Sequence, residues 1–167
     1  MSHRDFLTYF DDYGAALLLF ARQYVPSQPD AEGIVQEAFV RLWKHGVSDK
    51  YPVKQQLYLL TKCAALDFLK SEKRRRSRED NYAMDKVSPI TKFETNLERD
   101  ETKLELMKNM EKLPAEQREV LTMKIWGELT FREISEILKV SQGTITSRYR
   151  LALQALKKTI DKEVVCG

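Results

Sequence analysis

Residues 130–156 read TFREISEILKVSQGTITSRYRLALQAL, and they decide the fold of the C-terminal third. Thr130 and Glu133 have the spacing of a capping box, in which side chain and backbone satisfy each other's donors at a helix start. Ile134, Ile137 and Leu138 then fall on one side of a short helix. Ser135 is small enough to admit a second helix. Lys139-Val140-Ser141 is a tight turn, with Val140 directed inward and Ser141 capping the second helix. Ile145, Tyr149, Ala152, Leu153, Leu156 and Ile160 would be the inner residues of that second helix. Two helices joined by so short a turn form a helix-turn-helix.

The outer face of the second helix carries the chemistry. From Gln142 to Lys158 it has no acid and four basic residues. Gly143, Ser147, Arg150 and Gln154 lie opposite Ile145, flanked by Thr144, Thr146 and Arg148. Short polar groups and arginines near a helix N-terminus suit base edges in a DNA major groove, where Arg can bind guanine bidentately. Arg132, Gln142, Gly143, Thr144, Thr146, Ser147, Arg148 and Arg150 are therefore the candidate duplex-reading residues. The alternative is a plain helical hairpin with a solvated polar face. The turn residue Lys139 is the one local misfit. A left-handed conformation there costs a side chain roughly 1 kcal/mol.

Upstream, periodicity is helical throughout. Phe6, Phe10, Tyr13, Leu17, Phe20 and Tyr24 trace one face of a first helix, which Pro26 to Pro29 end. Asp30 is read as the N-cap of a second helix with an apolar stripe of Ile34, Val35, Ala38, Phe39, Leu42 and Trp43. Glu32, Gln36, Glu37 and Arg41 form its mixed polar face, either solvent surface or a protein docking face. Gly46 closes it, and Pro52 opens a third helix after a short loop. Leu57, Thr61, Ala64, Ala65, Phe68 and Leu69 are its inner residues. From Lys70 the third helix becomes strongly basic, with Lys73, Arg74, Arg75 and Arg76. Such a cluster attracts phosphate, or is simply a solvated helix end. Tyr51, Tyr58 and Phe68 interleave with Lys54 and Lys62, a mixture that suits unstacked bases, unless the aromatics are core. Periodicity fails over 79–95, read as a flexible linker. It returns with Leu97, Leu104, Met107, Met110 and Leu113, then Pro114 and a helix that Gly127 stops. The expected fold is all-α, with two small helical domains over 1–78 and 96–162, the second containing the helix-turn-helix.

The chain has 167 residues and a net charge of only +3. Resolved along the sequence, the charge is −2 over 1–50, +6 over 51–78, −3 over 79–112 and +2 over 113–167. Two basic surfaces separated by an acidic stretch are implied. No apolar run is long enough to span a bilayer, so no membrane insertion is expected. Two cysteines, Cys63 and Cys166, make no disulfide framework and fit a reducing cytoplasm. Only His3 and His45 are present, with no Cys/His zinc spacing and no Gly-rich phosphate loop. Neither a metal nor a cofactor is expected, and an enzyme such as a nuclease is disfavoured. A stand-alone helix-turn-helix regulator would not need the second basic surface.

Three segments together resemble the extracytoplasmic-function (ECF) sigma factors of the sigma-70 family. They are Asp30 to Trp43, Leu57 to Lys70, and Leu113 to Val120 with the helix-turn-helix. That resemblance implies a non-catalytic bacterial transcription initiation factor. It implies that Asp30, Glu32, Gln36, Glu37 and Arg41 dock on the clamp helices of the largest subunit of core RNA polymerase. The loop with Ser48, Lys50 and Tyr51 would hold a base flipped from the −10 element. Lys62, Cys63, Lys70, Lys73, Arg74, Arg75 and Arg76 would contact that element and its phosphates. The second domain would sit on the polymerase flap and read the −35 element as duplex. An anti-sigma partner, often membrane-anchored in this family, is possible. Cys63 stands where Asn is common in the family, and Lys139 where Gly is usual.

Overall fold

The computed structural model describes residues 1–79 and 101–166, with the side chains of 101–104 and 163–166 outside that description. Among the described residues there are seven helices and no strand. They group into two compact units. The linker expectation over 79–95, apart from Glu79, and the placements of Leu97 and the Leu104 side chain lie outside the described residues.

The first unit holds α1 (His3–Ala21), α2 (Gln28–His45) and α3 (Val53–Arg78), each packed on the other two. Helix α1 starts at a capping box absent from the sequence reading. Ser2 N–H donates to Asp5 Oδ2 at 2.9 Å, and Asp5 N–H donates to Ser2 Oγ at 3.2 Å. The Ser2 N–H first, and the Ser2 hydroxyl second, hold the Asp5 carboxyl below its ordinary pKa. The apolar run Leu17 to Ala21 is buried all round in a helix that packs against both of the others. Its N-terminal half is covered more thinly. Phe6 and Phe10 rest on Phe39, with ring centroids 5.5 and 5.3 Å apart, yet Phe10 stays exposed.

Helix α2 begins earlier than the sequence reading placed it. Its cap is Ser27, whose Oγ accepts the Asp30 N–H at 3.5 Å, so Asp30 lies in the first turn and is not the cap. Pro29 falls inside that turn, where its missing N–H leaves no helix bond unmade. Ile34, Val35, Ala38, Phe39 and Leu42 are buried as expected, but Trp43 is exposed and meets Phe6 in a T-shaped contact with ring centroids 5.6 Å apart. On α3, Leu57, Thr61, Ala64 and Ala65 are buried, whereas Leu69 is exposed. Past Phe68 no neighbouring apolar surface remains to cover that turn.

The second unit holds α4 (Glu101–Met110), α5 (Ala115–Ile125), α6 (Phe131–Leu138) and α7 (Gln142–Cys166). Met110, Leu113, Leu121, Ala152 and Leu156 form its core, with Trp126 and Tyr149 packed against them. Helix α5 buries four successive residues, Val120 to Met123, because it meets α7 and α6 on different sides. Thr122 tolerates this since its hydroxyl donates to the Arg118 carbonyl at 2.8 Å. Gly127 follows the end of α5, but the left-handed residue of that turn is Glu128. Helix α7 continues past Lys158 to Cys166. Leu153 and Ile160, read as inner residues, are exposed, because Ile145, Ala152 and Leu156 already occupy the side that faces α5 and α6.

Candidate nucleic-acid interface

In the second unit the turn into α7 is set by bonds between near neighbours in sequence. The Thr130–Glu133 capping box is present, with Glu133 N–H on Thr130 Oγ1 at 3.1 Å and Thr130 N–H on Glu133 Oε1 at 3.2 Å. Lys139 is left-handed, with φ 56° and ψ 44°. Ser135 does more than leave room: its hydroxyl donates to the Val140 carbonyl at 2.7 Å, and its own carbonyl accepts the Val140 N–H at 3.2 Å. Thr144 N–H donates to Ser141 Oγ at 3.3 Å, which caps α7. Ile145 is fully buried and fixes which side of α7 faces outward.

The structure brings most of the expected duplex-reading residues to that outward side. Gln142, Gly143, Thr144, Thr146 and Arg150 are exposed, and Ser147 is half-buried. A Cβ built on Gly143 would meet only open space, so packing does not require a glycine there. Thr146 spends its hydroxyl proton on the Gln142 carbonyl at 2.9 Å and keeps acceptor capacity. Arg148 is half-buried and reaches Glu116 of α5 at 3.4 Å. Arg132 is exposed and pairs with Glu136 at 3.3 Å.

In the first unit the corresponding surface is the loop before α3 and the exposed length of α3. Gly46, with φ 75°, turns the chain out of α2 in a conformation that side chains rarely adopt. Ser48 and Lys50 are exposed and Tyr51 is half-buried, with Lys50 Nζ 5.1 Å from the Tyr51 ring centre. The sequence reading passed over Asp49, an acceptor-only group exposed between them. It also missed Gln56, which is buried beneath the loop. Gln56 Oε1 accepts the Ser48 N–H at 2.9 Å, and Gln56 Nε2 donates to the carbonyls of Ser48 at 2.6 Å and Tyr51 at 2.5 Å. A polar residue directly after a loop was the available signal, but a sequence does not show which way an amide turns.

Along α3, Cys63, Lys70, Lys73, Arg74, Arg75 and Arg76 are exposed and Lys62 is half-buried. Arg75 already pairs with Glu72 at 3.2 Å and Glu79 at 3.9 Å. Tyr58 is not available to a base. It is 1% exposed against Phe20, and burial pushes its phenol pKa up.

On α2, Glu32, Gln36 and Glu37 are exposed and Asp30 is half-buried. Glu32 accepts Gln28 Nε2 at 2.9 Å. Arg41 does not stand free on this face. Its Nε meets Glu37 at 2.8 Å and its Nη2 meets Asp67 of α3 at 3.0 Å, which ties the second helix to the third. The Glu37 hydrogen bond first, and then that of Asp67, raise the guanidinium's pKa against the opposing cost of burial. Val40 and Trp43 are exposed apolar residues of α2 that a stripe-and-face reading had left out of the site. Among the described residues no three His, Cys, Asp or Glu side chains gather to hold a metal, and no helix is long and apolar enough to cross a membrane.

Two all-helical units, one with a helix-turn-helix and one with a basic helix behind a held loop, define a helix-turn-helix nucleic-acid-binding protein. The sequence narrows the class further. Residues 9–75 match the sigma-70 region 2 family and residues 103–156 match sigma-70 region 4. The chain belongs to the sigma-70 family, and its relatives place it in the ECF group. It is 24% identical over 159 residues to the RNA polymerase sigma factor SigV of Bacillus subtilis, covering 94% of this chain and 92% of that one. It is 28% identical over 137 residues to the ECF factor SigM of the same organism, covering 80% and 82%. The fold is shared with the sigma factor RpoE of Bartonella quintana, solved with the anti-sigma factor NepR. That likeness has a TM-score of 0.68 at 20% identity, over 95% of this chain and 98% of that one. CnrH, solved with the cytosolic domain of CnrY, gives 0.62 at 19% identity, over 96% and 90%.

Proposed function

We propose that this transcription initiation factor binds core RNA polymerase, reads a −35 element as duplex and a −10 element as melted strand, and promotes melting between them. The observation that carries this reading is the acid-free first half of α7, held outward by buried Ile145 and by caps at both ends of the turn. The exposed N-terminal turns of α7 present Thr144, Thr146 and Arg150 as a major-groove reader requires. The second basic surface, on α3, has the phosphate-binding character that a strand-separating partner needs. A base leaving the duplex loses a few kcal/mol of stacking, which contacts in a loop pocket can offset. Ser48, Lys50 and Tyr51 are the side chains placed to supply them.

Docking on polymerase falls to the exposed part of α2, namely Glu32, Gln36 and Glu37, with Val40 and Trp43 as apolar contacts beside them. Arg41 contributes by fixing α2 against α3. The second unit would rest on the polymerase flap, and covalent chemistry would belong wholly to polymerase. An anti-sigma partner is proposed from the two structural neighbours, each solved with another protein bound. The site of action would be the cytoplasm, where polymerase and promoter meet.

The test is dependence on core enzyme. The purified chain alone should bind promoter duplex weakly, and with core polymerase it should start transcripts at defined promoters. Tight, sequence-specific duplex binding by the free chain, with no effect on polymerase, would sink the proposal. It would favour a stand-alone regulator.

A further inference from the structure

The loop from Gly46 to Tyr51 would ordinarily be free to move, since it has no secondary structure. Here one buried side chain holds it. Gln56 is 7% exposed and lies on the first turn of α3. Its amide pairs with both backbone groups of Ser48 and also donates to the Tyr51 carbonyl. An amide can accept twice and donate twice, and three of those capacities are spent on this loop. Ser48 Oγ takes the Lys50 N–H at 3.2 Å, so that backbone donor is satisfied as well. With these polar backbone groups turned toward Gln56 or Ser48, the side chains of Ser48, Asp49 and Lys50 remain exposed. The Lys50 ammonium stays beside the Tyr51 ring. A charge next to an aromatic plane is a suitable platform for an unstacked base.

We infer that Gln56 is the positioning residue that fixes base choice in the −10 element, by presetting the loop that receives the flipped base. This rests on the proposed reading that the loop contacts that base. The physical reason is preorganisation. A mobile loop can rearrange around a wrong base and recover contacts, which lowers the penalty for a mismatch, whereas a loop held in one conformation cannot. Gln56 touches no DNA itself. Its effect passes through Ser48 and Tyr51.

The experiment uses the full chain with core polymerase on templates randomised through the −10 element and, separately, the −35 element. Gln56→Met keeps the length of the side chain and removes all three bonds. Gln56→Glu keeps the acceptor for Ser48 N–H and sets a carboxylate against two carbonyls. Both should flatten base preference at the loop-read position on the order of tenfold. Preference at the −35 element should be retained, and in Gln56→Met the Ser48 amide should exchange with solvent faster. A purely structural role would lower both preferences together with helicity. If Gln56→Met loses helicity, Gln56→Glu carries the test alone. Unchanged −10 preference in either variant, with helicity retained, overturns the inference. Lys50→Ala and Tyr51→Ala, run alongside, separate the two levels. If they alter −10 preference and the Gln56 variants do not, the loop reads DNA without needing Gln56. If none of them does, the loop is not the reader and the inference fails with it.

Discussion

The two units hold their working surfaces by different means. In the second unit the hydrogen bonds that set the turn into α7 span five residues or fewer, from the Thr130–Glu133 box to the Ser135–Val140 and Ser141–Thr144 pairs, and one longer ion pair, Arg148–Glu116, joins α7 to α5. In the first unit the decisive bonds are longer in sequence. Gln56 reaches back eight residues to Ser48, and Arg41 reaches forward 26 residues to Asp67. A duplex reader needs only a rigid helix at a fixed tilt, which caps and one apolar anchor can supply. The loop of the first unit satisfies one of its own backbone donors, Lys50 N–H on Ser48 Oγ, but not the backbone groups of Ser48 or the Tyr51 carbonyl. It must borrow a partner from elsewhere.

The largest way to break the comparison is at the apolar anchor. Ile145→Ala should cost about 2–5 kcal/mol in the second unit, since Ile145 is fully buried between α7 and the helices it crosses. Denaturant unfolding followed by Trp126 fluorescence in a Trp43→Phe background measures it. A loss below about 1 kcal/mol would mean that the local caps alone hold α7.

The next effect concerns recognition. Arg150→Ala should cost about 1–3 kcal/mol of discrimination at one −35 position. Arg75→Ala should weaken promoter binding evenly across sequences and lower its salt dependence. Because Arg75 is also paired with Glu72 and Glu79, its loss removes the cation beside both carboxylates as well. Competition binding over a salt series, with the factor on core polymerase, reads both. Unchanged −35 selectivity in Arg150→Ala would move the reading face elsewhere on α7.

A smaller change sharpens the role of local capping. Thr130→Ala should destabilise the second unit by about 1 kcal/mol. Lys139→Gly should stabilise it by about 1 kcal/mol or less, since Lys139 adopts a left-handed conformation that glycine accepts freely. Thermal unfolding compares the pair, and a destabilising Lys139→Gly would show that the lysine contributes more than its strain costs.

The smallest effect is the Asp5 cap. Its carboxyl has a depressed pKa in the fold, so its contribution is complete above the ordinary aspartate range of about 4. That contribution is lost as pH falls below this range through the folded value. The protection of the Asp5 amide, measured against the exchange rate of an unstructured chain at the same pH, should therefore fall in acid as the first turn of α1 frays, while the rest of α1 holds. A first turn that stays protected in acid would place the cap elsewhere.

The sequence was most informative where contacts are local. Thr130, Glu133, Lys139 and Ser141 announced the helix-turn-helix, because caps and turns are written in residues three or four apart. It was less informative where two signals competed. Pro29 suggests a break and Asp30 a cap, but the helix starts one turn earlier at Ser27, which takes the Asp30 N–H itself. Leu153, Ile160, Leu69 and Trp43 looked like core from periodicity alone. Periodicity shows which side of a helix is apolar, and only the neighbouring helices decide how far along it that side is covered.

By itself, then, the sequence determined an all-helical chain, its sorted charge, the capped helix pair and the residues on the outer face of α7. Those features come from spacing, charge and backbone preference, which act over a few residues. The tertiary structure decided that Arg41 ties α2 to α3, that Tyr58 is core, and that Gln56 holds the loop. Each of those depends on where a side chain turns once distant segments are packed together, and hydrogen-bonding groups find such partners only after the core has closed around them.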